Sequence, residues 1–211
     1  VIIHAGERKD PEVPQLAFNH AIVAARSEAP DAAGAGKYIL MDPTNESSSR
    51  LLPEYLCEKS FIVATPDGEG LMESAALPAE ENMVSIKTES RVEGDWQLAD
   101  THIVFKGVND TMYRGAFADM SADDRRNAVE GMLQSALPGA SLTRLNIVPD
   151  DMQDTATPLE LSLGYAVPGS VLTGGVTVVT LPRVAEAFGY VNFLEGRTGL
   201  DKRRFPMDTS I

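Results

Sequence analysis

The sequence has 211 residues, of which 43% are hydrophobic, and this is enough for one large or two small globular domains. It contains 31 acidic and 18 basic residues, a net charge of -13, which disfavours nucleic acid as a partner because few cations are available to contact phosphates. No apolar run approaches the roughly 20 residues that span a bilayer, so no membrane span is predicted.

The ends and the cysteine content limit what the chain can be by itself. It begins at Val1 rather than Met, and Val1-Ile2-Ile3 is typical of an internal strand rather than of a signal peptide. We therefore expect the chain to be a fragment of a longer protein. Because Cys57 is the single cysteine, neither an intrachain disulfide nor a multi-cysteine zinc site can form.

Residues 1–80 are predicted to be rich in strands. The segments from Phe18 to Ala25 and from Lys37 to Met41 have strand composition, and the Pro, Asp and Gly residues between them predict a hairpin with a long tip. A third strand is predicted from Lys59 to Thr65. A strong turn signal at Pro66-Asp67-Gly68 follows it and leads to a short strand that ends near Pro78.

The acidic stretch Glu80-Glu81-Asn82 is the predicted boundary, and residues 81–211 are predicted to form a second, β-rich domain. Met83 to Val92 and Trp96 to Lys106 flank a Gly-Asp turn and predict a second hairpin, with apolar positions at Val84 and Ile86 and at Ile103 and Phe105. A further strand is predicted from Met112 to Phe117.

One packed helix is predicted near residues 122–137. A box-like N-terminus begins at Ser121, apolar residues recur at helical spacing, and Pro138-Gly139 ends the pattern. Beyond it, alternating apolar residues from Leu159 to Val167 predict a strand with one buried face. The predicted fold class is therefore α+β with predominantly antiparallel β-structure.

Two residues of the first predicted hairpin are candidates for a catalytic pair. His20 lies in one strand and Asp42 at the end of the next. If the two are directly opposed, Arg26 pairs with Gly36 and residues 27–35 form the loop, where the turn-forming residues lie. Opposed Cβ atoms are about 4.5–5.5 Å apart, so the carboxylate can accept the imidazole N–H and fix its tautomer. Taken without any resemblance, the same two residues also fit a structural role.

The residues around this pair resemble the transglutaminase-like superfamily. Phe18-Asn19-His20-Ala21-Ile22-Val23, then Asp42-Pro43-Thr44, then Leu51 to Leu56 and the strand Phe61-Ile62-Val63-Ala64, resemble the rear half of a transglutaminase-like core. The pattern is similar, in particular, to bacterial proteins with an N-terminal β-domain, a transglutaminase-like core and a C-terminal β-domain of unknown function. The resemblance implies that residues 1–80 complete the core and that residues 81–211 are the C-terminal domain.

The same resemblance implies a chemistry. In that superfamily the order along the chain is Cys, His, Asp, so His20 would be the base and acid, Asp42 would orient it, and the cysteine would lie before Val1 at a helix N-terminus. The implied parent activity is thiol-dependent acyl transfer or amide hydrolysis on a protein or peptide substrate, in the periplasm or cell envelope. The chain would be inactive without the upstream cysteine, and no cofactor is predicted.

Cys57 is not expected to replace that cysteine. It follows both His20 and Asp42 along the chain, and it precedes a strand rather than opening a helix. Its acidic neighbour Glu58 is expected to raise the pKa of the thiol, which opposes thiolate formation. A small, partly buried hydrophobic side chain is the preferred interpretation of Cys57.

Other candidate binding sites are weaker. His4 and His102 lack the spacing of a metal site. The aspartates of residues 150–154 lack the glycine and terminal glutamate of a calcium loop, so a solvated acidic turn is predicted there. Gly174-Gly175 lacks the lysine and helix that follow in a phosphate-binding loop. No metal or cofactor site is predicted.

An alternative hypothesis is a non-catalytic, β-rich binding or structural module of the bacterial envelope, in which His20 and Asp42 are vestigial. A cysteine that opens a helix shortly before Val1 in the full reading frame would favour the enzyme, and its absence would favour the module. Because a truncated core exposes unpaired strand edges, we also expect the chain to associate as a homo-oligomer through those edges.

Overall fold

The protein is described from a computed structural model, which describes residues 1–6, 9–10, 12, 18–27 and 37–188. The fold is α+β and mainly antiparallel, as the sequence predicts. Two compact units divide the chain, and the division between them falls between Asn82 and Met83. None of the helices in the described ranges combines the length and the apolar character that a membrane crossing requires.

The described part of the first unit is built from short strands and two 3-10 turns. The strands are β1 (Ile2–Ile3), β2 (His20–Ala21), β3 (Val23–Arg26), β4 (Tyr38–Met41), β5 (Ser60–Ile62) and β6 (Met72–Glu73), and the turns are Glu54–Leu56 and Ala79–Glu81. One antiparallel sheet has the order β2-β1-β5-β6, while β3 and β4 form a separate pair. Strand β4 has one buried face, because side chains alternate between the two faces of a strand: Tyr38 and Leu40 are buried and Ile39 between them is exposed.

The hairpin register differs from the predicted one. Arg26 pairs with Tyr38 rather than with Gly36, so the pairing is shifted by two residues and the predicted direct opposition of His20 and Asp42 is wrong. A shift by two keeps every side chain on its face, because side chains alternate with a period of two. Residues 28–35 of the predicted tip, and Gly36, lie outside the described residues.

The second unit contains longer strands and helices. They are β7 (Val84–Glu93), β8 (Trp96–Phe105), α1 (Val108–Ala118), α2 (Ala122–Ala136), β9 (Ser141–Val148), β10 (Glu160–Pro168), β11 (Val171–Thr173), β12 (Thr177–Val179) and α3 (Ala185–Phe188). The main antiparallel sheet has the order β7-β8-β10-β9, and β11 pairs with β12. The predicted β7–β8 hairpin is confirmed, since Val84 pairs with Phe105 and Ile86 with Ile103.

Helix α2 packs against the inner face of this sheet. The buried residues Val129 and Leu133 belong to the same hydrophobic core as Leu161 and Leu163 of β10, whose predicted alternation is confirmed. The predicted N-terminus of α2 is also confirmed, because Ser121 Oγ accepts a hydrogen bond from the Asp124 backbone N–H at 3.2 Å.

The predicted strand from Met112 to Phe117 is wrong, because this segment lies in helix α1. The prediction of a single helix in the second unit is therefore also wrong, because α1 and α3 are present beside α2. The buried positions Thr111, Arg114 and Phe117 recur every three residues, which is a helical spacing. The middle position is a buried arginine, so a search for apolar periodicity does not count it, and the aromatic residues around it favour a strand.

Candidate active site

His20 and Asp42 come together in the first unit at the ends of two strands. His20 opens β2 and pairs with Ile3 of β1, while Asp42 follows the last residue of β4. The Asp42 backbone N–H donates to the Leu51 carbonyl at 2.8 Å, which ties the end of β4 to the following loop. The strand ends therefore position both side chains, although their backbones are not paired with each other.

The two side chains are in direct hydrogen-bond contact. His20 Nε2 lies 2.8 Å from Asp42 Oδ2, and because a carboxylate only accepts, Nε2 is the nitrogen that donates. The Asp42 side chain has 0% exposure and the His20 side chain 25%. Within the described residues no group hydrogen-bonds to His20 Nδ1. In the tautomer that donates from Nε2, the ring lone pair lies on Nδ1.

Thr44 holds the other oxygen of the carboxylate. Asp42 Oδ1 accepts from the Thr44 backbone N–H at 3.1 Å and from the Thr44 hydroxyl at 2.7 Å. A bond from an Asp side chain to the N–H two residues later is an Asx turn, and Pro43 between them favours this geometry. The two hydrogen bonds from Thr44 to Oδ1 fix the plane of the carboxylate, so that Oδ2 points at His20.

Tyr55 is the further partner of the carboxylate. Its hydroxyl donates to Asp42 Oδ2 at 2.9 Å, the same oxygen that accepts from His20. Tyr55 lies in the 3-10 turn Glu54–Leu56, and the next residue, Leu56, is fully buried in the core of the first unit. The core thus anchors the turn that carries the hydroxyl.

The hydrogen bonds decide the charge of this buried carboxyl. Burial by itself acts to raise the pKa of Asp42, but the bonds from Thr44, His20 and Tyr55 outweigh it and the pKa is lowered. Burial raises the pKa of Tyr55, and its hydrogen bond to Asp42 adds to that effect. Near neutral pH Asp42 is therefore ionised and Tyr55 is a neutral donor.

Cys57 does not form an activated thiol. Burial raises the pKa of its thiol. The charges of Arg50 and Lys59 act to lower this pKa, and those of Glu54 and Glu58 act to raise it. The direction agrees with the prediction, but the larger cause is burial rather than the acidic neighbour. The thiol lies 3.9 Å from the Pro53 carbonyl, a weak contact.

The histidines outside the pair have local partners. His4 Nδ1 accepts from the Gly6 N–H at 3.0 Å. His102 lies on the outer face of the second unit's sheet, with Nδ1 3.2 Å from Ser162 Oγ and Nε2 3.4 Å from Glu160. Within the ranges that the structure describes, no three His, Cys, Asp or Glu side chains are arranged to hold a metal ion.

The remaining candidate segments make turns. In residues 150–154, the Asp151 carboxylate accepts from the Gln153 N–H at 2.9 Å and the Asp154 carboxylate accepts from the Thr157 hydroxyl at 2.7 Å. Gly174-Gly175 lies in the connection between β11 and β12. Neither segment gathers side chains that suggest a bound ligand.

Sequence reasoning missed the two partners that hold Asp42. The threonine had a usable signal, since an Asp side chain often accepts from the backbone N–H two residues later in an Asx turn, and Thr44 occupies that position. Tyr55 had no local signal, because it is 13 residues from Asp42 and reaches it only after the intervening loop folds back.

No protein-family model, curated protein or solved structure matches this chain. The transglutaminase-like resemblance therefore rests on the residues around His20 and Asp42 and stays a hypothesis.

Proposed function

We propose that this chain supplies the histidine and aspartate of a transglutaminase-like thiol enzyme, with the nucleophilic cysteine upstream of Val1 in the full-length protein. The observation that supports the proposal is the contact of 2.8 Å between His20 Nε2 and the buried Asp42 carboxylate. A partly exposed imidazole has one nitrogen fixed as a donor, and its other nitrogen has no hydrogen-bond partner among the described residues. This is the arrangement that a thiol nucleophile needs in its base.

The proposed reaction begins with proton transfer from the cysteine thiol to His20 Nδ1. The thiolate attacks the carbonyl carbon of an amide, and His20 returns the proton to the leaving amine as the C–N bond breaks. Water or an acceptor amine then attacks the thioester carbonyl and gives a proton to His20. The C–S bond breaks, the acid or the new amide leaves, and the thiolate takes the proton back from His20. Asp42 stays ionised throughout and stabilises the imidazolium, because its lowered pKa keeps it from taking the proton.

The substrate class, the location and the domain assignment of this proposal come from the resemblance. The substrate is a protein or peptide, the site of action is the periplasm or cell envelope, and residues 1–80 complete the catalytic core.

Alkylation of the full-length protein tests the proposal. Iodoacetamide at mildly acidic pH is expected to label a cysteine upstream of Val1 much faster than Cys57, because a thiolate paired with His20 reacts where ordinary thiols are protonated. His20→Ala and Asp42→Ala are expected to slow that labelling, whereas His4→Ala is the matched control and should leave it unchanged. Mass spectrometry of the peptides reads out each cysteine separately.

Two outcomes would overturn the proposal. One is a full reading frame with no cysteine upstream of Val1. The other is an upstream cysteine whose alkylation rate does not respond to His20→Ala.

A second candidate function is a non-catalytic β-rich binding or structural module. One observation favours it: the β11–β12 hairpin of the second unit and the segment after it expose Leu172, Val176 and Leu181 by 68%, 75% and 73%, and exposed apolar surface is typical of interaction sites. Self-association through the exposed strand edges of a truncated core is a separate prediction from the sequence. Light scattering of the purified chain tests it, and a monomer at all concentrations would count against association.

A further inference from the structure

We infer that Tyr55 is a positioning residue for His20 and acts through Asp42. Its catalytic meaning rests on the proposed function, but the geometry does not. Tyr55 does not touch His20 by a hydrogen bond; it donates to Asp42 Oδ2 at 2.9 Å, and His20 donates to that same oxygen at 2.8 Å.

The two donors come from separate parts of the first unit. His20 belongs to β2, which pairs with β1, whereas Tyr55 belongs to the turn that follows the loop after Asp42. Thr44 occupies the other oxygen with two bonds. A carboxylate has about four acceptor positions, so Thr44, Tyr55 and His20 together fill it. The Asp42 side chain has 0% exposure. The second acceptor position of Oδ2 is therefore filled by the Tyr55 hydroxyl rather than by bulk solvent.

The hydrogen bond from Tyr55 to Asp42 Oδ2 also affects the orientation of His20. If the Tyr55 hydroxyl is removed, one acceptor position of a buried anion is left empty, and the carboxylate must rotate or admit water to fill it. Either change moves Oδ2 or gives it a competing donor. The His20 ring then loses its contact with Asp42, which fixes its orientation and its Nε2–H tautomer.

The Nε2 proton of His20 provides a direct test on the chain as it exists. A proton held between imidazole and a buried carboxylate gives a low-field proton NMR resonance that exchanges slowly with water. We expect this resonance in the wild-type chain and its loss by exchange in Tyr55→Phe, which keeps the aromatic ring. Tyr38→Phe is the matched control, because Tyr38 donates to Glu69 and not to Asp42; it should keep the resonance.

A second substitution covers the case in which Tyr55→Phe does not fold. Tyr55→3-fluorotyrosine retains the hydroxyl and makes it a stronger donor, so Oδ2 accepts less from His20. The Nε2 proton resonance is expected to move upfield. A purely structural Tyr55 would alter the thermal midpoint and leave this resonance in place. The inference is overturned if both variants show the wild-type resonance at the wild-type position, or if the wild-type chain lacks it.

The two proposals fail in different ways. The NMR test needs no cysteine, so Tyr55 can be shown to position His20 even if the full-length protein has no reactive thiol. Conversely, if an upstream cysteine depends on His20 but the resonance ignores Tyr55, the proposed function stands and this inference fails. Where both hold, Tyr55→Phe should slow alkylation of the upstream cysteine by about tenfold or more, the usual cost of losing an outer partner of a site.

Discussion

Asp42 in the first unit and Arg114 in the second are both buried charged side chains, but their partners differ in kind. Arg114 is 1% exposed and directs its donors to the Asp110 carboxylate and to the carbonyls of Met152, Asp154 and Thr157. These contacts use all five N–H donors of a guanidinium.

The two networks differ in whether every polar atom in them has a protein partner; a network in which every atom has one is called closed here. Every donor of Arg114 ends on the protein, and the contacts join α1 to residues 152–157, so the network holds the fold. The network of Asp42 is open at one end, because among the described residues nothing hydrogen-bonds to His20 Nδ1. A buried charge thus points to a candidate site when its network leaves a reactive atom available.

The largest expected effect is on the closed network. Arg114→Met should lower the free energy of unfolding of the second unit by about 3–5 kcal/mol, because it leaves Asp110 and three carbonyls without their cation. Urea unfolding followed by the fluorescence of Trp96 measures it, since the single tryptophan lies in this unit.

The matched control for this prediction is Arg144→Met. Arg144 is 63% exposed and pairs with Asp100 on the outer face of the sheet, so the change is expected to stay below about 1 kcal/mol. Equal losses for the two arginines would contradict the distinction between a buried network and a surface pair.

A substitution at Asp42, in the open network, should have a smaller effect on the free energy of unfolding, and that effect should depend on pH. Asp42→Asn is expected to lower the free energy of unfolding of the first unit by about 1–3 kcal/mol at neutral pH, because an amide cannot accept all four hydrogen bonds. The folded pKa of Asp42 is lowered, so the stabilisation by the carboxylate is present above its unfolded pKa of about 3.9 and is lost as the pH falls through the folded value.

The gap between wild type and Asp42→Asn should therefore narrow below about pH 4. Urea unfolding followed through NMR signals of the first unit measures it at several pH values. Asp67→Asn, at an exposed turn position, is the control and should show no such gap. A gap that stays constant down to the lowest pH would show that the carboxylate's charge is not what stabilises the fold.

The smallest expected effects come from one substitution made at two threonines of the first unit. Thr44→Val removes the hydroxyl that donates to Asp42 and should cost about 0.5–1.5 kcal/mol. Thr65→Val removes a buried hydroxyl that has no partner among the described residues, so it should be neutral or stabilising. The same unfolding measurement compares them, and a loss at Thr65 as large as that at Thr44 would contradict the role of the Thr44 bond.

Local pattern was sufficient to predict much of the second unit. The β7–β8 register follows from alternation and from Gly94, whose φ of 62° at the first central position suits a two-residue hairpin turn. Helix α2 follows from its cap and spacing. Helix α1 was mispredicted as a strand, because its buried face includes Arg114, and only the carbonyls that converge on this residue from distant loops make that burial favourable.

For the candidate site, the sequence determined the residue types and their order along the chain. Alternation with a period of two kept the faces of the β3–β4 pair, even though its register moved by two residues. Only the tertiary structure decided how they meet, since His20 leaves the hairpin to pair with Ile3 and Tyr55 arrives through a folded loop. Contacts between strands and loops far apart in sequence carry no local signal, so the third partner of the carboxylate is visible only in the folded chain.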